Sequence, residues 1–166
     1  MALEHDFFGL LESGPDGSVF WSETVELADQ AVAVDLTAPD QDDVSQDALD
    51  AAAAIVASIE EIDRRARIAM LGEVDNRASE VAEYILMQQD HLGDTLEEYL
   101  VDISGDAPVD IIRSLNLTSV TILADEHGGS EPFAVFEYAL DPDMTDDVLL
   151  VNLLGDGEIQ SITSAE

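Results

Sequence analysis

The chain has 166 residues, of which 38 are acidic and 5 are arginine, so its formal net charge is -33 at pH 7. Binding of nucleic acid or of an anionic membrane surface needs clustered Lys and Arg, which this lysine-free composition does not supply. The absence of cysteine excludes disulfides, thiolate catalysis and cysteine-ligated zinc. A hydrophobic fraction of 46% nevertheless predicts a packed core in a single domain, residues 1–166.

The N-terminal sequence has no basic residue followed by an apolar run, and no apolar stretch approaches the length of a membrane span. We therefore expect a cytoplasmic protein. The excess of acid has two interpretations. A high net charge is typical of salt-tolerant proteins, in which it keeps molecules apart. It would also suit a protein that imitates DNA or binds a basic protein, but the acids are spread along the whole chain, which favours the first interpretation.

The first part of the chain predicts β-strands. A short apolar segment at 7–11 is closed by Gly-Pro-Asp-Gly at 14–17, a strong turn signal. Apolar and polar residues then alternate from 19 to 27 and again from 32 to 36. This pattern predicts a hairpin with one buried face.

The middle of the chain predicts helices. Apolar residues recur three or four positions apart from 49 to 69, with a suitable serine N-cap before them, so we expect one long helix that ends at Gly72. A second helix is predicted from about 76 to 92. Two shorter helices follow, one that begins at Thr95 and one over about 106–115.

Strand patterns return in the last third, at 120–124, 134–140, 148–154 and 158–163, and a Gly-Asp-Gly turn joins the last two. This order predicts an α+β fold with an antiparallel sheet of about six strands. A helical segment, one long helix and two or three shorter ones, is inserted between the N-terminal and C-terminal strands and packed on one face. A doubly wound parallel sheet would need strands and helices to alternate, which they do not.

Candidate metal ligands lie in one acidic loop. Oxygen-bearing side chains at alternate positions, including Asp141, Asp143 and Asp147, resemble the beginning of a calcium loop. However, the sixth position is not glycine, and Asn152 stands at the twelfth, where a calcium loop has a bidentate glutamate. An ordinary acidic turn between two strands is therefore the favoured interpretation. We expect no cofactor, with a divalent cation at these aspartates as the alternative.

Two features could serve an interaction. Arg64, Arg65 and Arg67 each lie four residues after an acid, which predicts ion pairs on a helix face and leaves an anion site as the alternative. Trp21 occupies an apolar position of a predicted strand, where a core role is favoured. If Trp21 is exposed instead, it is the first residue expected at an interface.

Several short phrases occur together in a fixed order. They are Phe-Gly-Leu-Leu at 8–11, Trp21, Asp-Arg-Arg-Ala at 63–66, Tyr84, Phe-Glu-Tyr at 136–138 and Thr-Asp-Asp-Val-Leu-Leu-Val-Asn at 145–152. In this order and spacing the chain resembles the bacterial domain-of-unknown-function family numbered two thousand and four, over nearly its whole length. The resemblance implies a compact, stand-alone bacterial protein, and it carries no established activity or catalytic residue.

The sequence contains no complete motif for a nucleophile, a phosphate cradle or a metal. We therefore predict a non-enzymatic binding protein for a partner with a basic surface, because opposite charge raises the rate of encounter. An immunity-type protein that blocks a basic nuclease toxin is one concrete form. The alternative is a hydrolase that uses carboxylates, or a divalent cation at the loop around Asp143. A scaffold role in a homo-oligomer also stays open.

Overall fold

The computed structural model describes residues 3–27, 30–40, 42, 44–101, 103–124, 132–140, 143 and 146–165, with the backbone alone at 3, 12 and 30. The strands are β1 (Leu3–His5), β2 (Gly9–Ser13), β3 (Val19–Leu27), β4 (Gln30–Ala38), β5 (Asn116–Leu123), β6 (Ala134–Ala139), β7 (Val148–Leu153) and β8 (Ile159–Ala165). The helices are α1 (Gln46–Ala57), α2 (Ile59–Glu73), α3 (Glu80–Leu92) and α4 (Ala107–Ser114), with a 3-10 helix (Gly93–Tyr99) after α3.

Each strand pairs with the next strand along the chain, so the order across the sheet is β1 to β8. The predicted α+β fold is confirmed, and β3–β8 form the main sheet. The β1–β2 hairpin is an addition, joined to β3 through two residue pairs, Glu12 with Phe20 and Ser13 with Val19.

The sheet is mostly antiparallel, as expected, but one pair of neighbouring strands makes it a mixed sheet. β4 and β5 run parallel, and the other neighbouring strands run antiparallel. The physical reason is the crossover: the chain leaves the end of β4, passes through the helices, and returns to the same end of the sheet where β4 began.

The long helix predicted up to Gly72 is two helices. It breaks at Ser58, whose backbone (φ -113°, ψ 17°) leaves the helical region while its N–H donates to the Ile55 carbonyl at 3.1 Å. Serine has a low preference for helix interiors, and α2 starts afresh directly after it. Gly72 does not end α2, which continues through it to its last residue, Glu73.

The later helices differ from the expectation mainly at their first residues. α3 begins four residues later than predicted, because Ser79 accepts the capping hydrogen bond from the Ala82 N–H (3.1 Å). Thr95 is not a helix cap: its hydroxyl donates to the Leu92 carbonyl (2.6 Å) inside a 3-10 helix. α4 lies where predicted, with Asp106 as its N-cap.

The core lies between the helices and one face of the sheet. Alternate strand residues such as Val34 and Leu36 are fully buried there, as the period of two predicts. Ile62 and Met70 of α2 are buried in the same continuous cluster. Residues at the intervening strand positions are half-buried or exposed on the opposite face.

The buried His5 side chain ties β1 to α1. The Phe7 N–H donates to His5 Nδ1 (3.1 Å), so Nε2 carries the ring proton and donates to Asp50 Oδ1 at 2.7 Å. This hydrogen bond holds the first hairpin against the first helix.

Candidate interaction site

The connection between the 3-10 helix and α4 is bound to α4 at two points. The Val101 N–H donates to Ser114 Oγ (2.8 Å). The Ser104 N–H and hydroxyl donate to the two carboxylate oxygens of Asp110, at 2.9 and 2.6 Å. These hydrogen bonds from Ser104 hold the pKa of the Asp110 carboxyl below its usual value. The backbone N–H groups of Val101 and Ser104 are therefore both held by side chains of α4.

This connection holds two apolar side chains in solvent. Val101 is 83% exposed and Ile103 is 58% exposed, so neither contributes to the core. Single exposed apolar residues are common on protein surfaces, but neighbouring ones on an anchored segment are typical of a contact surface.

Ile103 lines a groove of about 460 Å³ between the 3-10 helix and α4. Its apolar wall includes the buried Leu96 and the half-buried Leu100, while the side chains of Asp94 and Glu97 on its lining are exposed. None of the described residues that line it is basic. This acidic groove suits an amphipathic segment that inserts apolar side chains and places Lys or Arg at the carboxylates.

A partly buried polar network joins α2 to the sheet. The hydroxyl of the fully buried Tyr138 donates to Asp63 Oδ1 at 2.8 Å. Arg67 Nε donates to both oxygens of Asp63 (3.1 and 3.2 Å), its Nη1 donates to the Leu115 carbonyl (2.8 Å), and its guanidinium lies 5.4 Å from the Tyr138 ring centre. Burial and the neighbouring carboxylate raise the pKa of Tyr138 well above its usual range. The predicted ion pair of Arg67 is confirmed, and it is structural.

Arg64 and Arg65, the other two arginines predicted for an interaction, form hydrogen bonds with groups other than the acids four residues before them. Arg64 pairs with Glu61, three residues earlier, rather than with the acid four residues earlier, at 2.7 and 2.6 Å. Arg65 Nη2 donates to the Gly157 carbonyl at 3.4 Å, and its buried Nε has no hydrogen-bond partner among the residues that the structure describes. Arg64 therefore forms an ion pair with a different acid from the predicted one, whereas Arg65 contacts a backbone carbonyl.

A larger groove of about 730 Å³ lies at the junction of α1 and α2, beside the end of β3. Arg64 and Arg67 both line it, together with four acidic residues: Glu26, Glu60, Glu61 and Asp63. Both arginines are already bound to carboxylates, so neither offers a free charge to an anionic ligand.

Trp21 is half-buried and packs edge-on against Phe8, with ring centres 4.7 Å apart. Phe8 also contacts the rings of Phe7 (5.0 Å) and His5 (5.4 Å). This aromatic group fastens the first hairpin to β3, which agrees with the favoured core role of Trp21.

The three predicted metal ligands are not seen together. Asp141 lies outside the described residues, and Asp143 is exposed. Asp147 is buried, its Oδ2 accepts a hydrogen bond from Gln88 Nε2 (3.2 Å), and the same oxygen lies 2.8 Å from His91 Nδ1 on α3. Within the described part of the chain, no group of three or more His, Asp or Glu residues could hold a metal ion. The metal site stays a prediction.

Sequence reasoning missed the acidic groove, the Tyr138–Asp63–Arg67 network and the contacts of Asp147 with α3. The only available signal for the Tyr138 network was that a buried tyrosine needs a partner for its hydroxyl. The Asp147–His91 contact joins residues of different elements, and no local pattern marks it. For the groove, the signal was the apolar run Leu100, Val101 and Ile103 between two acidic segments.

Comparisons with known proteins add no functional information. No family model matches the chain, and neither a curated protein nor a solved structure matches it. The resemblance to the bacterial family named above stays a prediction. Among the residues that the structure describes, no helix is long and apolar enough to cross a membrane.

Proposed function

We propose that this chain is a non-enzymatic, cytoplasmic bacterial protein that binds a basic partner protein through the acidic groove and the adjacent Val101. The observation that supports this most is the combination at one place of exposed apolar side chains, backbone hydrogen bonds to α4 and an acidic lining. Val101 and Ile103 are presented by a segment anchored to Asp110, and Asp94 and Glu97 lie beside them.

The two components of the surface have different roles. The net charge of -33 attracts a basic protein from a distance and raises the association rate, and this attraction is screened by salt. The apolar residues supply the contact area that keeps the complex together once it has formed. Inhibition of a basic nuclease toxin, as an immunity-type protein, is one concrete form of this function.

Paired substitutions can test the groove. The charge variant Asp94→Asn/Glu97→Gln and the apolar variant Val101→Ser/Ile103→Ser alter the groove. Because all four side chains are solvent-accessible and few core contacts are lost, we expect both variants to fold. Asp42→Asn/Glu60→Gln makes the same change of net charge elsewhere, and Leu86→Ser removes an apolar side chain that is 65% exposed on α3.

The measurement is capture of partners from a bacterial lysate at low and at molar salt, followed by the affinity of the purified partner. We expect the wild type and both controls to retain a basic protein that leaves at high salt. Each groove variant should weaken binding by about tenfold or more. Equal capture by groove variants and controls, or a complex insensitive to salt, would contradict the proposal. The carboxylate- or metal-dependent hydrolase stays the alternative prediction.

A further inference from the structure

The strand β8 is the last strand of the sheet and pairs only with β7 among the described strands. In an antiparallel pair, alternate residues direct their N–H and C=O groups away from the neighbouring strand. The free side of β8 therefore presents a row of backbone donors and acceptors, which can template another strand.

The sequence of this edge lacks two of the features that usually protect one, charged residues and proline. The seven residues of β8, Ile-Gln-Ser-Ile-Thr-Ser-Ala, include no charged residue and no proline, although 38 of the 166 residues of the chain are acidic. An irregularity of register opposite Asn152 and Leu153 affects only the beginning of β8, and Ser161–Ala165 remain in regular register with β7. At the other edge, β1 is only three residues long, which is a protective feature.

A groove of about 390 Å³ lies alongside β8. One wall is formed by Ile159–Ile162 and the other includes Ser79–Val81 at the beginning of α3. The Ser164 hydroxyl donates to Glu80 Oε2 (2.6 Å) and fixes the first turn of this helix against the strand. A free strand edge beside a helix is the geometry in which extended peptides bind by strand addition.

The charge of the groove indicates which kind of segment fits. Glu73 and Glu80 line it, and no basic residue is among its described lining residues. A second copy of this chain would bring two molecules of charge -33 together at acidic walls, which like-charge repulsion opposes. An extended segment with Lys or Arg among β-forming residues would meet opposite charge at these walls.

We propose that β8 binds an extended, basic segment of a partner protein as an additional strand of the sheet. This inference rests on the proposed function only in taking the partner to be basic. It assigns the contact to a surface that shares no residue with the acidic groove, so that each surface can fail its test separately.

The first test compares three peptides of equal charge. The probe is a fluorescent peptide of about six residues that alternates Val and Thr and carries Lys at both ends, a length that matches a typical strand. Its control peptides are N-methylated at alternate residues, in either phase, which removes the donors along one edge. We expect one of the two methylated peptides to bind at least about tenfold more weakly than the unmethylated probe. Equal binding of all three peptides would mean attraction by charge alone and would overturn the proposal.

The second test places positive charge on the edge. Gln160→Lys/Ser161→Lys changes two exposed residues of β8, and Ser22→Lys/Thr24→Lys makes the same change at exposed positions of β3. We expect the β8 variant to lose about tenfold in peptide affinity and the β3 variant less than about twofold. Equal losses would overturn the proposal. The groove variants Asp94→Asn/Glu97→Gln should bind the peptide as the control Asp42→Asn/Glu60→Gln does.

Amide hydrogen exchange then locates the added strand. We expect the peptide to protect alternate amides within Ser161–Ala165 of the wild-type protein. Protection at other strands and none at β8 would overturn the proposal. A dimer that forms without peptide and protects β8 would also overturn it, because the edge would then belong to a second copy.

Discussion

Tyr84 and Tyr138 are fully buried, and each hydroxyl is hydrogen-bonded to a part of the chain that is distant in sequence. The Tyr138 hydroxyl donates to Asp63, and the Tyr84 hydroxyl accepts from the Leu140 N–H at 3.0 Å. A buried polar atom that loses its partner is costly, so these two bonds make the orientation of α2 and α3 on the sheet specific.

Substitution Tyr138→Phe should lower the free energy of unfolding by about 1–3 kcal/mol, because the partly buried Asp63 carboxylate loses a donor while ring packing is kept. Urea denaturation followed by the fluorescence of Trp21 is the measurement. Tyr99→Phe is the matched control, since Tyr99 is only half-buried. A loss no larger than that of the control would mean that Arg67 alone satisfies Asp63.

Burial raises the pKa of Tyr84 to about 12. Because the folded state favours the neutral phenol, its contribution to stability is complete below the ordinary pKa of about 10 and is lost as the pH rises through about 12. We expect the ultraviolet absorbance of phenolate in the wild type to rise by two steps fewer near pH 10 than in unfolded protein, because the pKa of Tyr138 is raised as well. Tyr84→Phe should remove a step near pH 12, and a step removed near pH 10 would contradict the buried environment.

At the scale of the element, helix beginnings depend on single side chains. Ser79 accepts a capping bond at the start of α3, whereas Ser58 makes no side-chain capping bond at the start of α2. The first turn of α3 also forms one wall of the groove beside β8. A local capping interaction therefore supports a candidate binding surface.

The substitution Ser79→Ala should cost about 1 kcal/mol of stability, within the usual range for a lost N-cap, whereas Ser58→Ala should cost less or even stabilise a helical junction. Thermal unfolding of both variants under identical conditions measures the difference. Equal effects at the two serines would show that the Ser79 bond contributes little.

The loop that displays Val101 and Ile103 should respond to acid. The hydrogen bonds from Ser104 lower the pKa of Asp110. Their contribution to stability is therefore present above the ordinary pKa of about 3.8 and is lost as the pH falls through the lower pKa of the folded state. We expect the Ser104 amide resonance to report this loss below pH 3.8 in nuclear magnetic resonance spectra. In Asp110→Asn the same transition should be absent, and its persistence would place its origin elsewhere.

At the scale of the whole molecule, self-repulsion is the dominant electrostatic effect. Acidic side chains outnumber arginines 38 to 5, and three of the arginines, Arg64, Arg65 and Arg67, lie on α2. Most carboxylates therefore cannot be paired locally, and the compact state confines their charge.

We expect the melting temperature to rise as potassium chloride is raised from low to molar concentration, because the screening length falls from roughly 30 Å at 0.01 M to 3 Å at 1 M. Thermal denaturation across this series, with an uncharged osmolyte at matched osmolality as control, is the measurement. A flat or falling curve would mean that the charges are compensated locally.

The sequence by itself determined the α+β class, the order of strands and helices, the Gly-Pro-Asp-Gly and Gly-Asp-Gly turns and the N-cap of α4, because periodicity and turn chemistry act over a few neighbouring residues. Only the tertiary structure decided the parallel pairing of β4 with β5, the break at Ser58 and the Tyr138–Asp63–Arg67 network. It also decided the acidic groove and the groove beside β8. Each of these depends on which distant segments pack together, and packing energies are set by contacts that no local pattern specifies.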